Sequence, residues 1–180
     1  VEEDVPGKQI ASYQGFKFGQ HSLINCALGR PIDAFGQNFY HYDNGIRSPR
    51  LPGPPYHFMT RIAENTVVPG AYNNKPYVVA EYDIPNDAWY FNENGTEVMP
   101  YAVLMEVALQ PCGWLSTFAC QEEIKGKDLL FRNLDGNAVQ HRAVVPADKT
   151  IITKTTLTGV SVMGDVIIVK FDVVSSIDDE

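Results

Sequence analysis

Hydrophobic positions are densest between Met99 and Cys120, where nearly every residue is apolar. A run of this length without a polar face is typical of a helix that is buried on all sides. Pro100 suits the first position of such a helix, because the N–H that proline lacks would have no helical partner there. We therefore predict one long buried helix over about residues 99–120, with the rest of the chain packed around it.

Two polar side chains, Glu106 and Gln110, interrupt this helix. Their spacing of four residues places them on the same face, one turn apart. A carboxyl group in a buried helix costs free energy unless it is paired or used chemically. Function is therefore to be sought at these two residues. Pro111, which follows them, removes one backbone hydrogen bond and predicts a kink.

The flanking segments favour β-structure. Residues 75–84 are rich in β-branched and aromatic residues and predict a strand, preceded by a short helix over 56–63. After the central helix the pattern predicts four more strands: 128–132, 138–145, 150–159 and 161–174. The first two are joined by a turn at Asp135-Gly136-Asn137. The last two meet near Gly159, and Gly164-Asp165 forms a further turn or bulge.

This order of elements predicts an α+β fold, in which one antiparallel sheet curls around the long helix. Residues 89–91 form an irregular approach to that helix. One sheet cannot cover the whole circumference of the helix. We therefore expect a second copy of the sheet, from a partner, to cover the remainder.

The first 50 residues carry weaker signals. Alternation up to about residue 30 favours a short hairpin or an arm on a neighbour, and residues 29–55 have a loop-like composition. So long a loop is unusual inside a compact domain, which favours a packed lead-in anchored by aromatic residues (Phe35, Phe39, Tyr40 and Tyr42). We predict a lead-in at 1–50, a domain at 51–174 and a polar tail or linker at 175–180. A start at Val1 suggests a processed chain or an excised piece.

Composition narrows the function classes. Apolar residues make up 44% and charged residues 20% of the chain, as expected for a folded protein, and the net charge of −8 argues against binding to nucleic acid or anionic membranes. The three cysteines have no metal-ligand spacing and predict reduced thiols. No run is uniform enough for a membrane span. We expect a cytoplasmic protein without a metal or cofactor.

A family resemblance begins at Val98-Met99-Pro100, which is followed by Glu106 and Gln110. This spacing resembles the signature of the hotdog-fold 3-hydroxyacyl-ACP dehydratases of the FabA type, H-F-x-G-D-P-V-M-P-G with an acid six residues after the proline and a glutamine four later. The run Trp89-Tyr90-Phe91-Asn92 and the residues around Val98–Pro111 resemble, more narrowly, the dehydratase regions of polyunsaturated fatty acid synthases. The resemblance covers roughly residues 50–174 and implies a hotdog fold.

The resemblance implies removal of water from a 3-hydroxyacyl thioester by a histidine base and a carboxylic acid. Glu106 takes the position of the acid, and Gln110, Tyr101 and Gly95 fall at positions expected to contact substrate. The histidine position, six residues before Val98, is Asn92. An amide cannot act as a base near neutral pH, so the base is missing. Tyr101 replaces the motif's last glycine and would narrow the oxyanion position.

We therefore predict a pseudo-dehydratase half that lacks the histidine and supplies Glu106 to a partner hotdog, acting on acyl chains carried by acyl carrier protein. Alone, such a chain would be inactive. One alternative is an active dehydratase whose base comes from elsewhere, with His41 or His57 as candidates near Glu106 of a second copy. The other is a purely structural dimerisation module, favoured if Trp114, Met105 and Tyr101 fill the tunnel.

Overall fold

The computed structural model describes residues 6–177. A hairpin, β1 (Ser12–Tyr13) and β2 (Phe16–Lys17), is followed by α1 (Gln20–Ala27), α2 (Pro31–Phe35) and a 3-10 helix (Gln37–Asn44). Next come β3 (Arg61–Asn65), β4 (Tyr77–Asp83), α3 (Trp89–Asn92), α4 (Tyr101–Ala119) and α5 (Gln121–Ile124). Strands β5 (Thr150–Met163) and β6 (Val166–Ile177) complete the described chain.

The main sheet has four antiparallel strands in the order β3-β4-β5-β6. Alternate β4 residues, Val78, Ala80 and Tyr82, are buried, which is the period expected of a strand with one face on the core. The predicted strand at 75–84 is thus confirmed as β4. Strands β5 and β6 form one long hairpin that turns at Gly164, where φ is +61°.

The expected junction near Gly159 is wrong. Strand β5 continues through this residue, with only a shift of register between Leu157 and Gly159. A glycine inside a run of β-branched residues is compatible with either a turn or a bulge. Because β5 pairs with β6 on both sides of Gly159, this glycine lies in a bulge and not in a turn. The turn lies instead at Gly164-Asp165, the second site that the sequence indicated.

The predicted central helix is confirmed as α4, which begins one residue later than expected because Pro100 is its N-cap and not its first helical residue. It remains a single helix through Pro111. Its burial is one-sided within this chain. Val103, Val107 and Trp114 are buried, whereas a stripe that contains Glu106 and Leu109 is half-buried. This agrees with the expectation that one sheet covers only part of the helix; that a partner covers the remainder stays a prediction.

The N-terminal segment is more ordered than its composition indicated. The hairpin is confirmed, but the loop-like interpretation of residues 29–55 is wrong, because α2 and the 3-10 helix lie there. Pro31 occupies the start of α2, where proline is tolerated, instead of breaking a helix. Phe35 and Phe39 stack and pack in the same core as Trp114, whereas Tyr40 is exposed and is not part of this core.

Two further predictions are wrong. Residues 56–60 form no helix, because their backbone groups bond elsewhere: the N–H of Phe58 donates to the Gln110 side chain and that of Thr60 to the Glu81 carbonyl. Residues 128–145 form no strand, and they pair with none of the strands of the described chain. Among residues 6–177, no helix has the length and hydropathy to cross a membrane.

An ion cluster fixes β3 against β4. The Arg61 side chain is only 2% exposed and donates to the Glu81 carboxylate at 2.7 Å and to both oxygens of Asp83 at 2.6 and 2.8 Å. Burial alone would lower the pKa of Arg61, but the hydrogen bonds to the two carboxylates raise it. The guanidinium therefore stays charged, and its fork geometry holds the two strands in register.

Candidate active site

Gln110 connects helix α4 to the chain that leads into the sheet. Its side chain is 2% exposed. The Oε1 atom accepts a hydrogen bond from the Phe58 N–H at 2.7 Å, and Nε2 donates to the Tyr56 carbonyl at 2.8 Å. A longer contact of 3.4 Å runs from Nε2 to Glu106 Oε2. The amide expected to contact substrate thus has protein partners on both of its ends.

Glu106 lies one turn before Gln110, as the spacing predicted, on the half-buried stripe of α4. The Gln110 contact orients one carboxylate oxygen and leaves further lone pairs unused. The carboxyl group is therefore held in place and remains accessible from outside the chain. A group in this setting can exchange a proton with a molecule that arrives at the stripe.

Asn92 ends the short helix α3 and is exposed. The residues before it fix this helix: Trp89 Nε1 donates to the Pro55 carbonyl at 3.2 Å, and the buried hydroxyls of Tyr90 and Tyr82 lie 3.1 Å apart. Gly95, in the following loop, has a φ of +67°, which favours glycine. The space beside Gly95, where another residue would carry its Cβ atom, is open. These contacts hold helix α3 in place, so Asn92 has a defined position, but its side chain is an amide and cannot act as a base.

A groove of about 520 Å³ lies at the start of α4. One wall is formed by Val98, Pro100 and Tyr101, and the other includes His141 and Arg142. The walls are joined where the Met99 N–H donates to the Val144 carbonyl at 2.8 Å. The N–H groups of the first helical turn carry partial positive charge, so the start of α4 favours a negatively charged group nearby.

The structure brings only one of the predicted site residues, Tyr101, into this groove. Asn92, Gly95, Glu106 and Gln110 do not line it. His141, in contrast, does line it, although the sequence indicated only a surface position on a strand. No local pattern could have found this histidine, because its position depends on the return of a long irregular segment to the start of α4.

The other histidines differ in their surroundings. His57 lies between the two residues that Gln110 binds, and its Nδ1 atom donates to the Pro52 carbonyl at 3.0 Å. Its Nε2 atom is buried and has no hydrogen-bond partner among the described residues. Burial lowers the pKa of His57 and also that of His41, which lies between Tyr40 and Tyr42. Both rings are therefore favoured in the neutral form.

Within residues 6–177, no group of three or more His, Cys, Asp or Glu side chains is arranged to hold a metal ion. The thiols are free and buried. Burial raises the pKa of Cys112 to about 12 and that of Cys120 to about 11. Thiolate chemistry at neutral pH is therefore disfavoured at both of these residues.

Comparison with known proteins adds two findings. The family model described as "FabA-like domain" matches residues 51–180. Over 168 residues the chain is 34% identical to a polyunsaturated fatty acid synthase polypeptide of a Thraustochytrium species, an alignment that covers 88% of this chain. The chain spans only 11% of that relative's length.

Proposed function

The chain belongs to the FabA-like domain family, and on that premise we propose that it is a dehydratase-like hotdog domain of fatty acid or polyketide-like biosynthesis. Its substrate is an acyl chain carried on acyl carrier protein. It acts as a pseudo-dehydratase half, which supplies Glu106 to a partner hotdog. The observation that carries this proposal is an oriented, accessible Glu106 in a chain that has Asn92 at the position of the base.

The chemistry explains why half a site needs a partner. Elimination of water from a 3-hydroxyacyl thioester breaks the C2–H and C3–O bonds and forms the C2–C3 double bond. A base takes the C2 proton, and an acid protonates the leaving hydroxyl. Glu106 can serve as the acid. The amide of Asn92 cannot serve as the base, so the histidine must come from another hotdog. The helix-start N–H groups are suited to hold the thioester oxygen.

The test measures enoyl product from a 3-hydroxyacyl carrier substrate. We expect no turnover by the isolated chain, and turnover when a histidine-bearing hotdog domain is added. Glu106→Gln should abolish the activity of the mixture, because the amide cannot donate the proton as an acid does. Glu122→Gln, on an exposed side chain, is the matched control and should leave activity unchanged. If the isolated chain shows robust turnover that Glu106→Gln abolishes, the proposal of a pseudo-dehydratase half is contradicted.

His141 supports a second candidate, an active dehydratase with a relocated base. Its ring lines the same groove as the start of α4, where the thioester oxygen would lie. This candidate predicts turnover by the isolated chain that is lost in His141→Gln. The pseudo-dehydratase proposal predicts that the isolated chain has no turnover at all, so the same assay distinguishes the two functions.

A further inference from the structure

A second pocket, of about 510 Å³, lies in the N-terminal segment and shares none of its described lining residues with the groove at the start of α4. Sites for small molecules have volumes of roughly 300–1,000 Å³, so this pocket has the size of such a site. Its lining residues, which we call the arginine pocket, are Arg30, Pro31, Tyr42, Gly45, Ile46, Arg47 and Arg50. All of them precede residue 51, where the match to the FabA-like domain begins. The fold shared by that family therefore does not account for this pocket.

The arginine pocket concentrates positive charge on an acidic chain. Three of its lining residues are arginines and none of those that the structure describes is acidic, although the whole chain has a net charge of −8. Arginine keeps its charge throughout the physiological pH range. Three like charges around one pocket repel one another, and an anion bound between them would offset that repulsion. The pocket therefore favours a negatively charged ligand.

The contacts of Arg30 and Arg50 order their side chains and leave positive charge at the pocket. Arg30 forms an exposed ion pair with Asp33, in which Nε lies 2.8 Å from Oδ2. Arg50 Nη1 donates to the backbone carbonyls of Asn25 and Gly29. These carbonyls are neutral, and within the described chain Arg50 has no carboxylate partner. The Arg50 guanidinium is therefore held in place with its charge uncompensated.

Arg47 is fixed at its backbone and available at its side chain. Its N–H donates to the Asp128 carboxylate at 2.7 Å, and its carbonyl lies 3.4 Å from the Leu129 N–H. The side chain is exposed and has no hydrogen-bond or ion-pair partner among the described residues. A guanidinium in this setting can bind a ligand without first giving up a protein contact.

The remaining wall of the arginine pocket is apolar. Tyr42 is only 3% exposed, and its hydroxyl already donates to the Ile124 carbonyl at 3.0 Å, so the pocket meets mainly its ring. Pro31 is buried and Ile46 packs against the core. An inorganic anion would leave this apolar surface in contact with water, whereas an organic group attached to the anion would cover it with a gain in free energy.

We infer that the arginine pocket binds an organic phosphate, with the phosphate on the guanidinium groups and the organic group against Tyr42 and Ile46. The fork of an arginine matches two oxygens of a phosphate. A phosphate monoester carries roughly two negative charges and three acceptor oxygens, which suits three arginines better than the single charge of a carboxylate does. The inference goes beyond the proposed function, because no residue of α4 takes part in this site.

The experiment titrates the full chain with phenyl phosphate in low salt and measures binding by isothermal titration calorimetry. Two further ligands separate the contributions: inorganic phosphate lacks the ring, and benzoate has the ring but only one negative charge. We expect phenyl phosphate to bind at least tenfold more tightly than either ligand. Its affinity should fall as salt is added, because ions screen the attraction of exposed charges.

Arg47→Gln removes one charge whose side chain has no described protein partner, so folding should be unaffected. We expect it to weaken phenyl phosphate binding at least tenfold. Arg132→Gln, on an exposed arginine outside the pocket, is the matched control and should leave binding unchanged. Three results would overturn the inference: no saturable binding of phenyl phosphate, equally tight binding of inorganic phosphate, or the same loss of affinity in both variants.

Hexaglutamate provides the last comparison, because a protein surface rich in carboxylates is the other class of anion that arginines bind. If hexaglutamate binds more tightly than phenyl phosphate and loses that affinity in Arg47→Gln, the pocket takes an acidic protein partner and the inference is wrong. None of these measurements uses enoyl formation, so the inference and the proposed function can fail separately.

Discussion

Replacement of Gln110 by leucine tests the contact that holds the site together. Leucine has a similar volume and is compatible with a helix, so the substitution removes the hydrogen bonds with little change in packing. The Phe58 N–H loses an acceptor at 2.7 Å, and the Tyr56 carbonyl loses a donor at 2.8 Å. Both backbone groups lie under the side chain that is removed, and water has little access to the buried Phe58 N–H.

The magnitude follows from these two groups. A buried N–H without an acceptor costs about 1–3 kcal/mol, and the partly buried carbonyl adds about 1 kcal/mol. We expect Gln110→Leu to lower the free energy of unfolding by roughly 2–4 kcal/mol. For a domain of this size, that corresponds to a fall in Tm of roughly 5–15 °C. The longer contact to Glu106 at 3.4 Å adds little to stability, but its loss releases the carboxyl group.

The assay is urea unfolding followed by tryptophan fluorescence. The control is Gln140→Leu, the same substitution at an exposed glutamine that donates to the Arg142 carbonyl at 2.8 Å. Its cost should stay within about 0.5 kcal/mol. If Gln110→Leu also costs less than about 0.5 kcal/mol with an unchanged urea dependence, Gln110 does not hold the chain at residues 56–58 and our account of the site is refuted.

Three further predictions concern other buried groups. Arg61→Leu should lower the free energy of unfolding in urea by about 3 kcal/mol, because it leaves two partly buried carboxylates without their partner. The control Arg30→Leu removes an exposed ion pair and should lower it by less than about 1 kcal/mol. Equal losses in the two variants would contradict the role of the ion cluster. Burial lowers the pKa of His57, so the imidazole binds a proton more readily in the unfolded chain than in the folded one. The free energy of unfolding should therefore fall as the pH drops below about 6.5, and it should fall less in His57→Gln. An identical pH dependence in the variant would contradict this prediction. Burial raises the pKa of Cys112 to about 12 and that of Cys120 to about 11. Iodoacetamide at pH 8, with labelling measured by mass spectrometry, should therefore modify these two thiols only after the chain unfolds. Rapid labelling of the folded chain would show instead that the thiols are accessible.

The sequence predicted those elements whose signals are local. Helix α4 and strand β4 follow from periodicity, and the pairing of Glu106 with Gln110 follows from a spacing of four residues on one helix. The short helices of the N-terminal segment could not be predicted in this way. Helix α2 has only five residues and derives its stability from packing Phe35 against Trp114, which is a contact between distant parts of the chain.

Long-range contacts also explain the errors at the site. The sequence indicated a helix at residues 56–63, because nothing local shows that the Phe58 N–H bonds to Gln110 on another element. It indicated strands at 128–145 because their composition is right for strands, but a strand also needs a partner, and the described chain offers none. His141 reaches the groove only because this segment returns to the start of α4.

Assembly and activity should therefore depend on the same surface. Glu106 lies on the half-buried stripe of α4, and under the proposed function the partner that contacts this stripe supplies the missing base. Enoyl formation should then rise with partner concentration in proportion to the fraction of complex. For Glu106→Gln the half-maximal concentration should stay unchanged and kcat should fall. If Glu106→Gln instead raises the half-maximal partner concentration and leaves kcat unchanged, Glu106 acts in binding the partner and not in the chemistry.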